Sequence, residues 1–149
     1  MLGYYKNAKA TASAFTADGW FRTGDMGYLD EDGYCYITGR LKTVIVLENG
    51  KNIFPEEIEE YLGDIETIAE CVVVGRQAGS EVNLVAVVYP DTSKFPVTAT
   101  KSDIHDEIYK QVNELNKKLP TYKHIKAVEL RDKEFEKTTS RKIKRHLVK

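Results

Sequence analysis

Apolar and polar positions in this chain alternate over some short runs and recur every three or four residues in others, and each pattern predicts an element. Tyr34-Cys35-Tyr36-Ile37, entered through the turn pair Asp32-Gly33, has the aromatic and β-branched content of a strand. Thr43-Val44-Ile45-Val46-Leu47 is an apolar run ending near Asn49-Gly50, a tight-turn pair able to take positive φ. Pro55 suits the first position of a helix, where its missing N–H costs nothing. Glu56, Glu57 and Glu59 complement the positive end of that helix, which should reach about Leu62. Strands are expected at 71–74 and 84–89, on either side of the turn-like Gln77-Ala78-Gly79-Ser80. Ile104, Ile108, Val112 and Leu115 then recur at helical spacing behind a Ser102 cap, Leu119-Pro120 stops that helix, and a last strand falls at 125–130.

The order β, α, β, β, α, β from about residue 43 predicts an α+β domain, a short antiparallel sheet with flanking helices. The preceding forty residues, rich in Gly, Tyr and Asp, read as β-hairpins without a complete core, so the boundary is placed near Arg40 to Lys42, giving segments 1–41 and 42–149. No period of 20–50 residues repeats, which excludes a solenoid.

Composition narrows the class. At 149 residues with 42% hydrophobic content the chain can bury a core without disulfides or metals, and disorder is not expected. No run approaches the roughly 18 apolar residues of a membrane span, so a cytoplasmic protein is expected. The net charge of −1 argues against a nucleic-acid-coating protein. That balance averages two opposite stretches. Residues 56–70 carry seven acids and no Lys or Arg, read as a solvated helix face, and 137–149 carry six Lys or Arg and no acid. Cys35 and Cys71 each sit in an apolar run and are expected to be buried, reduced thiols. His105, His124 and His146 share no ligand-like spacing, so no structural metal is expected.

Four segments could carry chemistry: Gly19-Trp20-Phe21-Arg22-Thr23-Gly24-Asp25, Gly39-Arg40-Leu41-Lys42, Gly50-Lys51-Asn52-Ile53-Phe54-Pro55-Glu56-Glu57-Ile58-Glu59, and Lys137-Thr138-Thr139-Ser140-Arg141-Lys142-Ile143-Lys144-Arg145. In this order and spacing they resemble the C-terminal portion of the adenylate-forming superfamily, which includes acyl-CoA synthetases, luciferases and peptide-synthetase adenylation domains. The resemblance spans essentially the whole chain. It implies that residues 1–41 end a large AMP-binding domain and 42–149 form a mobile C-terminal domain that rotates between two half-reactions. A Ser/Thr/Gly-rich phosphate loop before a Lys is absent, so the chain alone is expected to be inactive and to need its own N-terminal domain as partner.

The same resemblance implies roles for individual residues. Asp25 falls where the family's aspartate accepts hydrogen bonds from the ribose hydroxyls, and Arg40 where an arginine meets the nucleotide. Lys42 falls on the hinge position. Lys142 aligns with the lysine that neutralises carboxylate and phosphate oxygens during adenylation, although Arg141 stands where many relatives have Gly. Gly50, with Lys51 beside it, matches the segment that lines the pantetheine tunnel after rotation. ATP, AMP, CoA and Mg2+ are the cofactors and substrates implied for the parent enzyme. Gly-Lys-Asn-Ile-Phe-Pro-Glu-Glu-Ile-Glu is most similar to the acid–CoA ligases, and the length of 44–53 to long-chain fatty acyl-CoA synthetases, whose parent enzymes can associate peripherally with membranes. The alternatives are an adenylating enzyme that loads an acyl carrier protein, and a non-catalytic binding module with a basic tail.

Overall fold

The turn pair Asp32-Gly33 folds residues 25–40 into an antiparallel hairpin of β1 (Asp25–Leu29) and β2 (Cys35–Arg40). Asp30 closes the turn, its carboxylate accepting the N–H groups of Asp32 and Tyr34 at 3.1 and 2.8 Å. Ahead of it lies a short helix that the hairpin reading did not include, α1 (Ala8–Ser13). Alanine-rich sequence favours it, and Asn7 caps it by accepting from the Ala10 N–H at 2.9 Å. The computed structural model describes residues 1–148. Residues 1–43 form the first of two units, and the second begins at Val44.

The first unit has the incomplete core expected of it. Ala14 is its one buried hydrophobic residue among those described, whereas Trp20, Leu29, Tyr34 and Ile37 are well exposed. Cys35 corrects an expectation, because it is exposed rather than buried. Alternation does place it on one face of β2, but within the first unit the described residues of that strand are mostly exposed.

In the second unit, β3 (Ile45–Val46) pairs with β4 (Asn52–Ile53) around the Asn49-Gly50 turn. Next come α2 (Pro55–Gly63), β5 (Ile68–Ala78), β6 (Glu81–Pro90), α3 (Lys101–Asn116) and β7 (Ile125–Leu130). Both middle strands outrun their apolar cores, because β5 and β6 stay paired as far as Ala78 and Glu81, so that Gln77 and Ala78 are strand and only Gly79-Ser80 turns. The sheet order is β5-β6-β7, with β5 antiparallel to β6. The α+β class stands, but β7 joins β6 in parallel, as it must when the connection crosses over through α3.

Alternation along β5 and β6 creates two buried faces. On one, Val73, Leu84, Ala86 and Val88 pack with Ile58 and Leu62 of α2 and Ile108 and Val112 of α3. On the other, Val72 and Val87 pack under Phe135, with Ile143 and Val148 alongside, so the C-terminal segment replaces a helical layer. Residues 145–147 form only a 3-10 turn and Leu147 is exposed, so the segment does not pack as a helix. Helix α3 starts earlier than Ser102 would have it. Thr100 is the cap, in a reciprocal capping box with Asp103. No described helix is long and apolar enough to cross a membrane.

Candidate functional site

Asp25 and Arg40 are brought together by strand register. They face each other across β1 and β2, and Arg40 Nε lies 2.7 Å from Asp25 Oδ1. Gly24, at φ +77°, supplies the left-handed turn that starts β1, and the Asp25 N–H donates to Thr23 Oγ1 at 3.1 Å. The ion pair uses one nitrogen of a five-donor guanidinium whose side chain is 59% exposed. A fixed carboxylate next to an available cationic fork is suited to hydroxyl and phosphate oxygens. Lys42 is exposed in the turn after β2, two residues before the second unit begins.

Gly50 sits in the β3–β4 turn at φ +75°, and its N–H donates to the Leu47 carbonyl at 2.9 Å. Asn49 accepts the Lys51 N–H at 3.1 Å, which sets the turn. Lys51 Nζ then rests 4.0 Å from the centre of the Tyr122 ring, a cation–π contact that pins the turn to the segment before β7. A cleft of about 310 Å³ opens beside it, lined in part by Leu47, Asn49, Tyr122 and His124.

Lys142 is exposed on a tight turn. Lys137 and Ile143 form an antiparallel bridge at its base. The Thr138 N–H donates to the Lys142 carbonyl at 2.8 Å, and Thr138 Oγ1 accepts the Lys142 N–H at 3.2 Å. Arg141 holds φ +61°, a left-handed conformation that glycine adopts freely. A glycine at this position would take the same conformation without the Cβ cost. The Lys142 turn belongs with the Phe135 face of the sheet, whereas Ile45, Leu47 and Ile53 of the Gly50 hairpin pack on the helical face. The sequence-predicted residues of the second unit thus occupy two opposite faces.

Glu56, Glu59 and Glu70, to which sequence reasoning gave no such role, hold the Lys142 segment down through Arg145 and Lys137. Glu59 of α2 accepts the Val73 N–H at 2.6 Å and binds Arg145, which also lies 3.6 Å from Glu56. Burial pushes the Glu59 carboxyl above its usual range, and its hydrogen bonds to Arg145 and Val73 oppose that. Glu70 of β5 binds Lys137 and accepts the Phe135 N–H at 3.0 Å. Hydrogen bonding to Glu70 raises the Lys137 ammonium above its ordinary value. The acid run at 56–70 is therefore not only a solvated face. Its signal was the complementary charge of the tail.

The fold recurs in solved acid–CoA ligases. o-Succinylbenzoate CoA synthetase (MenE) from Bacillus subtilis, in complex with the acyl-adenylate intermediate OSB-AMP, matches with a TM-score of 0.75 at 26% identity, over 99% of this chain and 28% of that one. Residues 42–149 match the family described as AMP-binding enzyme C-terminal domain, and the chain belongs to that family. Over 73 residues it is 52% identical to the long-chain-fatty-acid–CoA ligase FadD15 of Mycobacterium tuberculosis, covering 49% of this chain and 12% of that protein. Over 148 residues it is 34% identical to the nonribosomal peptide synthetase atqA of Aspergillus terreus, covering 96% of this chain and 15% of that protein. The chain therefore spans only 12% and 15% of the length of these curated relatives.

Proposed function

We propose that this chain works as the C-terminal part of an AMP-forming acid–thiol ligase that activates a fatty acid with ATP and passes the acyl group to CoA. The observation that carries the reading is Lys142 itself, an exposed cation fixed on a hydrogen-bonded turn within a domain of this family. In the first half-reaction a carboxylate oxygen attacks the α-phosphorus, and the bond to pyrophosphate breaks. The Lys142 ammonium neutralises the oxygens that gather charge as the phosphorus becomes pentavalent. Asp25 accepts hydrogen bonds from the ribose hydroxyls, and Arg40 meets nucleotide oxygens. Mg2+ accompanies the triphosphate, and no ligand to it is assigned among these residues.

In the second half-reaction the CoA sulfur attacks the acyl carbon, the thiol proton leaves, and AMP departs. Lys42 absorbs the torsional change that brings the opposite face of 42–149 forward, and Gly50 and Lys51 then border the pantetheine. The presence of the two candidate segments on opposite faces supports this reading, because one rotation exchanges them. Residues 1–41 act as the end of the large domain. Fatty acid as the substrate rests on the length of 44–53, since sulfoacetate– and 2-succinylbenzoate–CoA ligases are 52% and 49% identical over segments as long as the one shared with FadD15. The match to a peptide synthetase over nearly the whole chain favours, as second reading, transfer to a carrier protein.

In the complete enzyme, Lys142→Ala is expected to lower acyl-adenylate formation about 10²-fold or more, the scale of removing one electrostatic stabiliser. Acyl transfer from supplied acyl-adenylate to CoA should stay within about twofold of wild type. Equal loss of both half-reactions would refute the role, and acyl transfer to a carrier but not to CoA would establish the second reading.

A further inference from the structure

The segment that bears Lys142 is a strap without its own secondary-structure ladder, held on the sheet by apolar packing of Phe135, Ile143 and Val148 and by a small set of ion pairs. It begins at buried Phe135 and passes through the Lys142 turn to Arg145. Inside the strap, Lys144 pairs with Glu136 and the turn bonds to itself. Those links shape the loop but do not fix its place on the domain. Among the described residues, the ion pairs that connect residues 135–148 to other elements run from Lys137 to Glu70 and from Arg145 to Glu56 and Glu59.

These pairs sit immediately before and after the turn, five residues before Lys142 and three after. Each central carboxylate is itself held. Glu59 is seated by the Val73 N–H and Glu70 by the Phe135 N–H, and both side chains are only 15% exposed. They stand on α2 and β5, the elements that contribute Ile58, Leu62 and Val73 to the main core. A lysine brings a flexible four-carbon stem, so the placement of its ammonium depends on how firmly its backbone is held. A misplacement of about 1 Å can cost on the order of 10²-fold in rate.

We propose that Glu59 and Glu70 are positioning residues for Lys142, clamping both ends of the strap so that the ammonium is presented at one place relative to the domain. The inference rests on the reading of Lys142 as the adenylation lysine. It assigns a task to the acid run: two of its carboxylates fix the basic tail, and the fit is electrostatic as well as apolar. Neither carboxylate touches a reacting atom in this scheme, so neither is a catalytic residue.

The test uses the complete enzyme and the near-isosteric variants Glu59→Gln and Glu70→Gln, with Lys142→Ala measured alongside. Each Gln variant should lower the maximal rate of acyl-adenylate formation about tenfold with little change in KM for ATP, and leave acyl transfer from supplied acyl-adenylate within about twofold. A clamp that served only to stabilise the fold would lower both half-reactions together, in proportion to the folded fraction, and that outcome overturns the proposal. If Glu59→Gln does not fold, Glu70→Gln at the other end carries the same expectation and the same refutation. Unimpaired adenylation in Lys142→Ala would instead defeat the reading of Lys142, whatever the Gln variants do.

Discussion

Arg141 offers a direct test of how the Lys142 turn is built. Its φ of +61° is left-handed, and its N–H donates to the Thr138 carbonyl at 2.9 Å, so the conformation is imposed by the turn. A residue with a Cβ gives up about 1–2 kcal/mol in that region. Glycine removes this cost but gains about 0.5–1 kcal/mol of unfolded-state freedom. Arg141→Gly should therefore stabilise the second unit by about 0.5–1 kcal/mol. Urea unfolding followed by far-ultraviolet circular dichroism suits the measurement, since most strands and helices lie beyond Val44. With m in the lower part of the usual range of about 1–3 kcal/mol/M, the midpoint should rise by about 0.3–0.7 M with m unchanged. Arg141→Ala keeps the Cβ and should leave the midpoint nearly where it was. A glycine variant no more stable than the alanine one would refute the backbone argument.

The two thiols should part company. At pH 8 a thiol-specific reagent should label exposed Cys35 rapidly and Cys71 only in denaturant, because burial, with the Glu59 carboxylate adding to it, pushes the Cys71 thiol up to about 12. The native state then keeps a proton that the unfolded chain releases from its ordinary value of 9.0, so stability should fall as pH rises from 9 towards 12, and Cys71→Ser should lessen that fall. Asn116 is buried at the end of α3 and bonds both the N–H and the carbonyl of Ile125 at 2.9 Å. Asn116→Leu leaves both groups unsatisfied and should cost about 2–4 kcal/mol in equilibrium unfolding, and a cost below about 1 kcal/mol would mean that water replaces the amide.

Local signals were the legible part of this chain. The spacing of Ile104, Ile108, Val112 and Leu115 predicted α3, and the strand expected at 125–130 coincides with β7. The cap was misplaced by two residues although its signal was present, since Thr100 has an acid three residues on and Ser102 has His105. What stayed hidden depends on contacts between distant residues. Arg145 meets Glu59 across 86 positions, and no periodicity encodes such a pair. Cys35 was misjudged for the same reason, because alternation gives a face but not the layer that covers it. At the site, motif order marked Asp25, Arg40 and Lys142. The Asp25–Arg40 ion pair and the carboxylate clamp required the register and the strap to be seen.

Phe135 and Lys142 lie on one uninterrupted stretch, and this links chemical competence to the integrity of the sheet. A polypeptide that ends between Pro90 and Phe135 loses the proposed adenylation lysine and uncovers Val72 and Val87 in the same event. Damaged copies then lack the proposed lysine and at the same time display the apolar surface that chaperones and proteases use to sort defective chains.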